Sequence, residues 1–348
     1  MQQRTLKGGI AGCGKAASLY HMPAFRAMKG VEIVAVCDIN KDTAAGTAGR
    51  FRIPNYYEDV TRMLKEEKLD FVDICTPPQE HFRAVVEALD AGVHVLVEKP
   101  MAISVAEADE MISVSRKFGG KLCVVHNYLF NPVIKKAKSL VDSGAIGDLI
   151  SVEGKVLAKV KGAISNKYHW GHKIPGGLFG EYSAHQIYLA TAFLGKINSV
   201  QAAVIKHSSN PWVIADEYRV TLRTDKHLGS ITVSCNSPIP ANNTIILGTR
   251  RNLNINNYTY SMVQHTSGTY KILDLIYDDL NSSFQIAKAN ICNLAAAVFG
   301  RRWYGAGHRV IIREFLDSIR NDTEPPVTGE DGRETIRIME DIFRQVNI

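Results

Sequence analysis

The 348 residues are 45% hydrophobic and 22% charged, and 41 Lys and Arg against 35 Asp and Glu leave a formal charge of +6. That size exceeds one comfortable core and predicts two domains of a soluble, globular protein. The positive charge is not gathered into a stripe, so no nucleic-acid partner is expected, and no run of about 20 apolar residues exists to span a membrane.

The opening residues, MQQRTLKGGIAG, place no apolar stretch before the first strand, which argues against a signal peptide. Six cysteines (Cys13, Cys37, Cys75, Cys123, Cys235 and Cys292) form no C-x-x-C pair and read as buried, reduced thiols of a cytoplasmic protein. The histidines lack ligand-type spacing, so no metal is expected.

In chain order, "LKGGIAGCG" is a strand that breaks into glycines and "PAFRAMKG" closes a helix at Gly30. The strand "VEIVAVCD" and the helix "KDTAAGTAGRF" follow, then a third strand, "DFVDICTPP", stopped by Pro77 and Pro78. The helix "HFRAVVEALDAG", the strand "VHVLVEKP", a helix capped by Ser104 and Glu107, and the strand "KLCVVHN" complete the first third. Apolar strands alternating with helices predict a parallel, doubly wound sheet whose strand C-termini share one edge.

The texture changes near residue 126. After the helix "NPVIKKAKSLVDSGAIG" come the alternating segments "LISVEGKVLAKV", "SVQAAVIK", "EYRVTLRT", "GSITVSCN" and "TIILGTRRNLNIN", with two helices closing the chain. Few helices between such strands predict a mostly antiparallel sheet. The apolar stretch 284–304 reads as a packing or subunit-contact helix in preference to a membrane-surface one, because it lacks a polybasic face.

Gly12-Cys13-Gly14-Lys15-Ala16-Ala17 spells G-x-G-x-x-A between a strand and a helix. Gly12 permits the turn, Gly14 admits a pyrophosphate to the backbone, and small Ala17 lets the helix pack close. Asp38 ends the second strand 21 residues after Ala17, where a carboxylate binds ribose hydroxyls and repels a 2′-phosphate. NAD is therefore expected over NADP, although Lys41 stands near. The plainer reading is a glycine turn followed by a helix cap.

Lys99 ends the fourth predicted strand on the ligand edge, where an unused lysine is costly. It hydrogen-bonds a substrate hydroxyl or passes its proton; the alternative is a salt bridge with Glu98. His81, after Thr76, Pro77 and Pro78, orients the nicotinamide end or the neighbouring loop, or serves only as a helix cap. In "GGLFGEYSAHQIY", Glu181 and His185 are spaced i, i+4 on one helix face, which suits a general base or an ordinary surface pair.

Together these segments, with "EFLDSIRNDTEPPVTGEDG" near the end, resemble the glucose–fructose oxidoreductase/inositol dehydrogenase/rhizopine-catabolism (Gfo/Idh/MocA) family over nearly the whole chain. The resemblance implies a Rossmann domain over residues 1–125 and an α/β domain with an open, mostly antiparallel sheet over 126–348. It implies an active site between them and a homodimer or homotetramer joined through the sheet face. It also implies NAD(P)-dependent oxidation of a secondary alcohol of a sugar, or reduction of the ketone.

Lys99 matches the family's E-K-P lysine, and His185 its acid/base histidine. Gly12, Cys13, Gly14, Lys15, Ala16, Asp38, Thr76, Pro77, His81, Glu98, Lys99 and Asn127 would line the cofactor. Glu181 replaces the usual aspartate, and Tyr188 stands where inositol-oxidising members carry another, which argues against an inositol dehydrogenase. The stretch 159–173, KVKGAISNKYHWGHK, holds four lysines, two histidines and no acid, so an anionic sugar is expected: a phosphate, nucleotide sugar or uronate. An NAD-dependent glycoside hydrolase with transient redox and a non-catalytic NAD-binding regulator are the alternatives.

Overall fold

A computed structural model of the chain describes residues 4–159, 166–266, 268, 270–298 and 305–346. Two compact units emerge. One holds the described residues of Met1–Asn127 and Tyr304–Arg337, the other those of Tyr128–Trp303 and Ile338–Ile348. The chain thus returns to its first unit near the end, which differs from the single boundary near residue 126 expected from sequence. Long-range packing of the segment 305–337 leaves no mark in local composition.

The first unit is a six-stranded sheet built from β1 (Leu6–Ala11), β2 (Val31–Cys37), β3 (Asn55–Tyr57), β4 (Phe71–Ile74), β5 (His94–Val97) and β6 (Leu122–Val124). Their order is β3-β2-β1-β4-β5-β6, and every pair is parallel. Strands buried on both faces need continuous apolar runs, which "IVAVC" and "VLV" supply. The helices are α1 (Met22–Arg26, preceded without a break by a π-wound turn at Ala17–His21), α2 (Lys41–Phe51), α3 (Val60–Glu66), α4 (His81–Asp90) and α5 (Val105–Phe118). Ser104 caps α5 by accepting the Glu107 N–H at 3.2 Å, while Glu107 reaches back to the Ile103 N–H at 3.1 Å. Phe71 anchors the core. It stacks on Phe25 at 5.5 Å and meets Phe315 edge-on at 6.2 Å.

In the second unit, α6 (Pro132–Asp142) precedes β7 (Leu149–Lys159), and α7 (Leu178–Leu194) packs on the sheet. The remaining strands are β8 (Ser199–Ile205), β9 (Glu217–Arg223), β10 (Leu228–Ser234), β11 (Asn236–Gly248), β12 (Arg251–Asn256) and β13 (Ser261–Thr266). Their order is β13-β12-β11-β7-β10-β9-β8, antiparallel throughout except for β7 beside β10. The long α8 (Ile272–Val298) lies along β13. In the first unit α9 (Ala306–Asn321) follows, and the division between units falls within α10 (Gly329–Gln345). Among the described residues no helix is long and apolar enough to cross a membrane. Five cysteines are buried or half-buried, but Cys292 is exposed on α8, contrary to its sequence reading, because the apolar side of that helix faces outward.

Candidate active site

In the parallel sheet of the first unit, every strand delivers its next residues to one edge. Gly12 follows β1, Asp38 follows β2, Cys75 and Thr76 follow β4, Glu98 and Lys99 follow β5, and His126 and Asn127 follow β6 shortly after. The strand order reverses between β1 and β4, which is where an open α/β sheet holds its ligand.

Gly12 sits at φ +90°, and a Cβ there would come within 2.6 Å of the Cys75 carbonyl carbon and 2.7 Å of its oxygen. No side chain fits this turn. Gly12→Ala is expected to abolish measurable NADH binding and to lower the melting temperature, read by titration and thermal unfolding; wild-type affinity would refute the close-approach argument. Gly14 is the opposite case, with nothing within 4 Å of its would-be Cβ, so its surroundings are open enough for a phosphate. Lys15 is exposed, Ala16 half-buried and Ala17 fully buried against the sheet.

Asp38 ties this loop to β2. One carboxylate oxygen accepts the Cys13 N–H at 2.9 Å and the other the Asn40 N–H at 3.0 Å. Cys13 itself is buried, and burial, reinforced by Asp38, pushes its thiol up to about 11. Lys41 is exposed, with Glu58 at 3.9 Å.

Thr76 carries a buried hydroxyl with no hydrogen-bond partner, while Pro77 is exposed. His81 begins α4 and is fully buried. Its ring lies between two carbonyls, Nε2 at 2.8 Å from Thr76 O and Nδ1 at 3.0 Å from Pro100 O. Burial lowers its pKa despite both carbonyls, so one nitrogen donates at a time. His81 therefore fastens the loop after β4 to the loop after β5.

Glu98 is buried directly after β5. Its Oε1 meets His21 Nε2 at 2.9 Å, and its Oε2 accepts the Lys99 N–H at 3.0 Å. The other nitrogen of His21, Nδ1, meets Asp73 Oδ2 at 2.8 Å. With a carboxylate on each nitrogen, His21 donates from both and is an imidazolium. Burial works against that charge, but Asp73 and then Cys75 hold its pKa well above the ordinary histidine value. Burial would raise Glu98, yet the His21 hydrogen bond and charge, followed by His308 and Lys99, hold it well below the carboxylate range. The Cys75 thiol, 3.6 Å from His21, is pushed up to about 12 by burial and Asp73.

His308, from α9, stacks on Tyr20 at 4.7 Å and lies 3.7 Å from Glu98; burial, then His21, pushes it down to about 3. His126 is likewise pushed down to about 3 by burial. His21, Glu98 and His308 gather closely enough to hold a metal ion, as do His21, Asp73 and Cys75. The two carboxylate contacts of His21 leave it no lone pair for one.

In the second unit, Gly176 and Gly177 turn the chain into α7 at φ +71° and +56°. Glu181 and His185 are both half-buried on this helix. A Cβ on Gly171 would stand 2.9 Å from Glu181 Oε2, so the carboxylate is packed against that backbone. The His185 ring stacks on Tyr128 at 4.3 Å, and its Nδ1 lies 2.8 Å from the Tyr188 hydroxyl. That hydroxyl also accepts the Tyr128 N–H at 3.1 Å. The partner of Nδ1 is thus a neutral phenol one turn along the helix.

Residues 6–126 match the model of the Gfo/Idh/MocA oxidoreductase family with its NAD-binding Rossmann fold, and residues 134–254 match a C-terminal domain of the same family. The chain belongs to the Gfo/Idh/MocA family. Among its relatives, the D-apiose dehydrogenase of Paraburkholderia graminis is 36% identical over 144 residues, 41% of this chain and 38% of that protein. The D-glucoside 3-dehydrogenase of Escherichia coli K12 is 28% identical over 208 residues, 58% of each protein. The WlbA dehydrogenase of Bordetella pertussis, solved with NADH and UDP-GlcNAcA, shares the fold at a TM-score of 0.83 and 21% identity, over 100% of this chain and 97% of that one. The chain spans between 38% and 64% of the length of the first three curated relatives it matches.

Against this Gfo/Idh/MocA background, four residues that carry the geometry were not read from sequence as site residues. They are His21, Asp73, His308 and Tyr188. Asp73 left the clearest trace, as a single acid inside the buried strand Phe71–Ile74.

Proposed function

We propose that this protein is an NAD-dependent dehydrogenase or reductase acting on a secondary alcohol or ketone of a sugar or sugar derivative. The observation that carries the reading is Lys99, set directly beyond β5 on the same sheet edge as Gly12 and Asp38. Curated relatives named as apiose and glucoside dehydrogenases support the substrate class. The residues suit the cofactor: Gly14 opens onto space, Thr76 offers an unpartnered buried hydroxyl, and Asp38 directly follows β2.

When bound, NAD supplies the hydride chemistry. Gly14, Lys15 and Ala16 would offer backbone N–H groups to its phosphates. Gly12 and Cys13 would shape the turn, their own N–H groups held by Cys37 O at 2.8 Å and Asp38 at 2.9 Å, and Asp38 would accept from its ribose. Thr76, Pro77, Glu98 and Asn127 border it, and His81 holds the two loops in place. Lys99 hydrogen-bonds the substrate oxygen. His185 exchanges the proton through Nε2, because Nδ1 is committed to Tyr188. Glu181 supports the start of α7.

Titration with NADH and NADPH tests the cofactor assignment. NADH is expected to bind more tightly, and Asp38→Ser to weaken NADH by about tenfold, or about 1.4 kcal/mol. Binding of neither nucleotide would overturn the reading.

We further propose an anionic sugar as substrate, on the acid-free lysine cluster between Lys159 and Lys173. Residues 160–165 of that cluster lie outside the described residues; Lys167 and Lys173 are exposed. Uronates, sugar phosphates and nucleotide sugars are compared with neutral sugars by kcat/KM at the nicotinamide absorbance band. Better turnover of the neutral sugars would refute the anionic substrate while leaving the dehydrogenase intact.

A further inference from the structure

Helix α8 packs inside out. Its polar side faces its own unit: Asp278 pairs with His265 at 2.7 Å, Gln285 accepts from and donates to the Gln264 backbone at 3.0 and 3.1 Å, and Asn293 donates to Thr259 O. Its apolar side faces away. Leu273, Tyr277, Leu280, Phe284, Ala287, Ile291, Leu294 and Val298 are all exposed, the seven large ones at 66–75%. A surface helix ordinarily does the reverse.

The spacing of those eight residues alternates four and three without a break. That is a 3.5-residue period, the signature of a coiled-coil seam rather than of a helix lying on a sheet. Burying seven large side chains at roughly 100 Å² each removes about 700 Å² per copy, close to the roughly 800 Å² per partner of a standard interface.

We propose that α8 is the seam through which two copies of this chain associate, helix against antiparallel helix. Two features select this pairing. First, Asp274 and Asp279 lie in the first half of α8, where Asp278 is already paired with His265, while the second half carries Lys288 and no acid. Antiparallel pairing sets acid-rich half against acid-free half, whereas parallel pairing stacks acids on acids. Second, it sets Phe284 opposite the small Ala287 of the second copy, Leu280 opposite Ile291, Tyr277 opposite Leu294 and Leu273 opposite Val298, so large and small side chains alternate in the central layer.

A membrane surface is the poorer occupant. Interfacial helices keep lysines and arginines on the polar face beside the headgroups, and here that face is spent on β13 and its preceding turn. This inference is independent of the catalytic reading.

Light scattering and sedimentation of the full chain test it. The double variant Leu280→Glu/Phe284→Glu is expected to halve the assembly mass and to make thermal unfolding independent of protein concentration, while leaving helix content and NADH binding at wild-type values. Leu273→Cys together with Val298→Cys, in a Cys292→Ser background, is expected to oxidise to a covalent dimer, and Leu273→Cys alone is not. A monomeric wild type, an unchanged mass in the Glu variant, or flotation of monomeric wild type with anionic phosphatidylserine vesicles would overturn the proposal. Self-crosslinking of Leu273→Cys alone would overturn the antiparallel pairing.

Discussion

His185→Ala is expected to lower kcat on the best sugar substrate by about 10²–10⁴-fold, with NADH affinity little changed. The ring is held rather than loose. Tyr128 stacks on its face at 4.3 Å, and Tyr188 contacts Nδ1 at 2.8 Å. A phenol on Nδ1 differs from a carboxylate in one consequential way. A carboxylate brings a negative charge that stabilises an imidazolium, whereas the Tyr188 hydroxyl is neutral. On the proposed reading the Tyr188 hydroxyl accepts from Nδ1–H and stays neutral throughout: Nε2 takes the alcohol proton to give an imidazolium, and in the reverse direction that imidazolium returns its Nε2 proton to the ketone oxygen. The histidine thus serves either direction without charging a neighbour.

Tyr188→Phe separates this positioning role from simple packing. It leaves the Tyr128 N–H without its acceptor, at a cost of about 1–3 kcal/mol, and it is expected to move the pH–rate profile as well as kcat. A near-normal rate in His185→Ala would remove His185 from the proton transfer. A Tyr188→Phe enzyme with an unmoved pH profile would reduce Tyr188 to a packing residue.

Much of the edge that carries these proposals was legible because its signals are local. Apolar runs that stop at Gly12, Asp38, Pro77 and Lys99 mark four strand ends, and parallel pairing then brings those ends together. The edge strand β3 was not legible: Asn55-Tyr56-Tyr57 is too short to show a period and has an exposed face. β13 was missed as well, since its alternation, "SMVQHT", is weak.

For α8, the sequence showed an apolar segment from Phe284 onward, but the outward direction of its face depends on which side meets β13. The His21 cluster was hidden for a different reason. Its members come from four distant stretches of chain, and hydrogen bonds spanning 52 and 77 residues leave no spacing to read. Tyr188 was noticed only as a missing aspartate, because side-chain chemistry at i, i+3 is ambiguous until the ring directions are known.

His21→Ala is expected to cost about 3–5 kcal/mol of stability, because it leaves Asp73 and Glu98 as buried carboxylates without their cation. The pH dependence fixes the sign. In the wild type, the raised pKa of His21 contributes fully below its ordinary value of 6.5, and that contribution is lost as pH rises through the folded value. The depressed pKa of Glu98 contributes fully above its ordinary value of 4.5 and is lost as pH falls through the folded value. Both contributions are therefore complete between pH 4.5 and 6.5.

Without His21, the buried Glu98 loses the hydrogen bond and charge that outweigh its burial, and the variant gains relative stability on acidification. Its deficit against wild type is therefore expected to shrink from pH 6.5, below which the His21 contribution is complete, towards about pH 5. His21→Gln restores one donor and is expected to fall between the two. Urea unfolding at both pH values decides the matter: a deficit below about 1 kcal/mol that ignores pH would mean the imidazolium bridge carries no net stability. Because Glu98 also accepts the Lys99 N–H at 3.0 Å, the same substitution frees the segment that presents the lysine. Its kcat is expected to fall further than its NADH affinity, linking a buried charge in the core to the residue set at the end of β5.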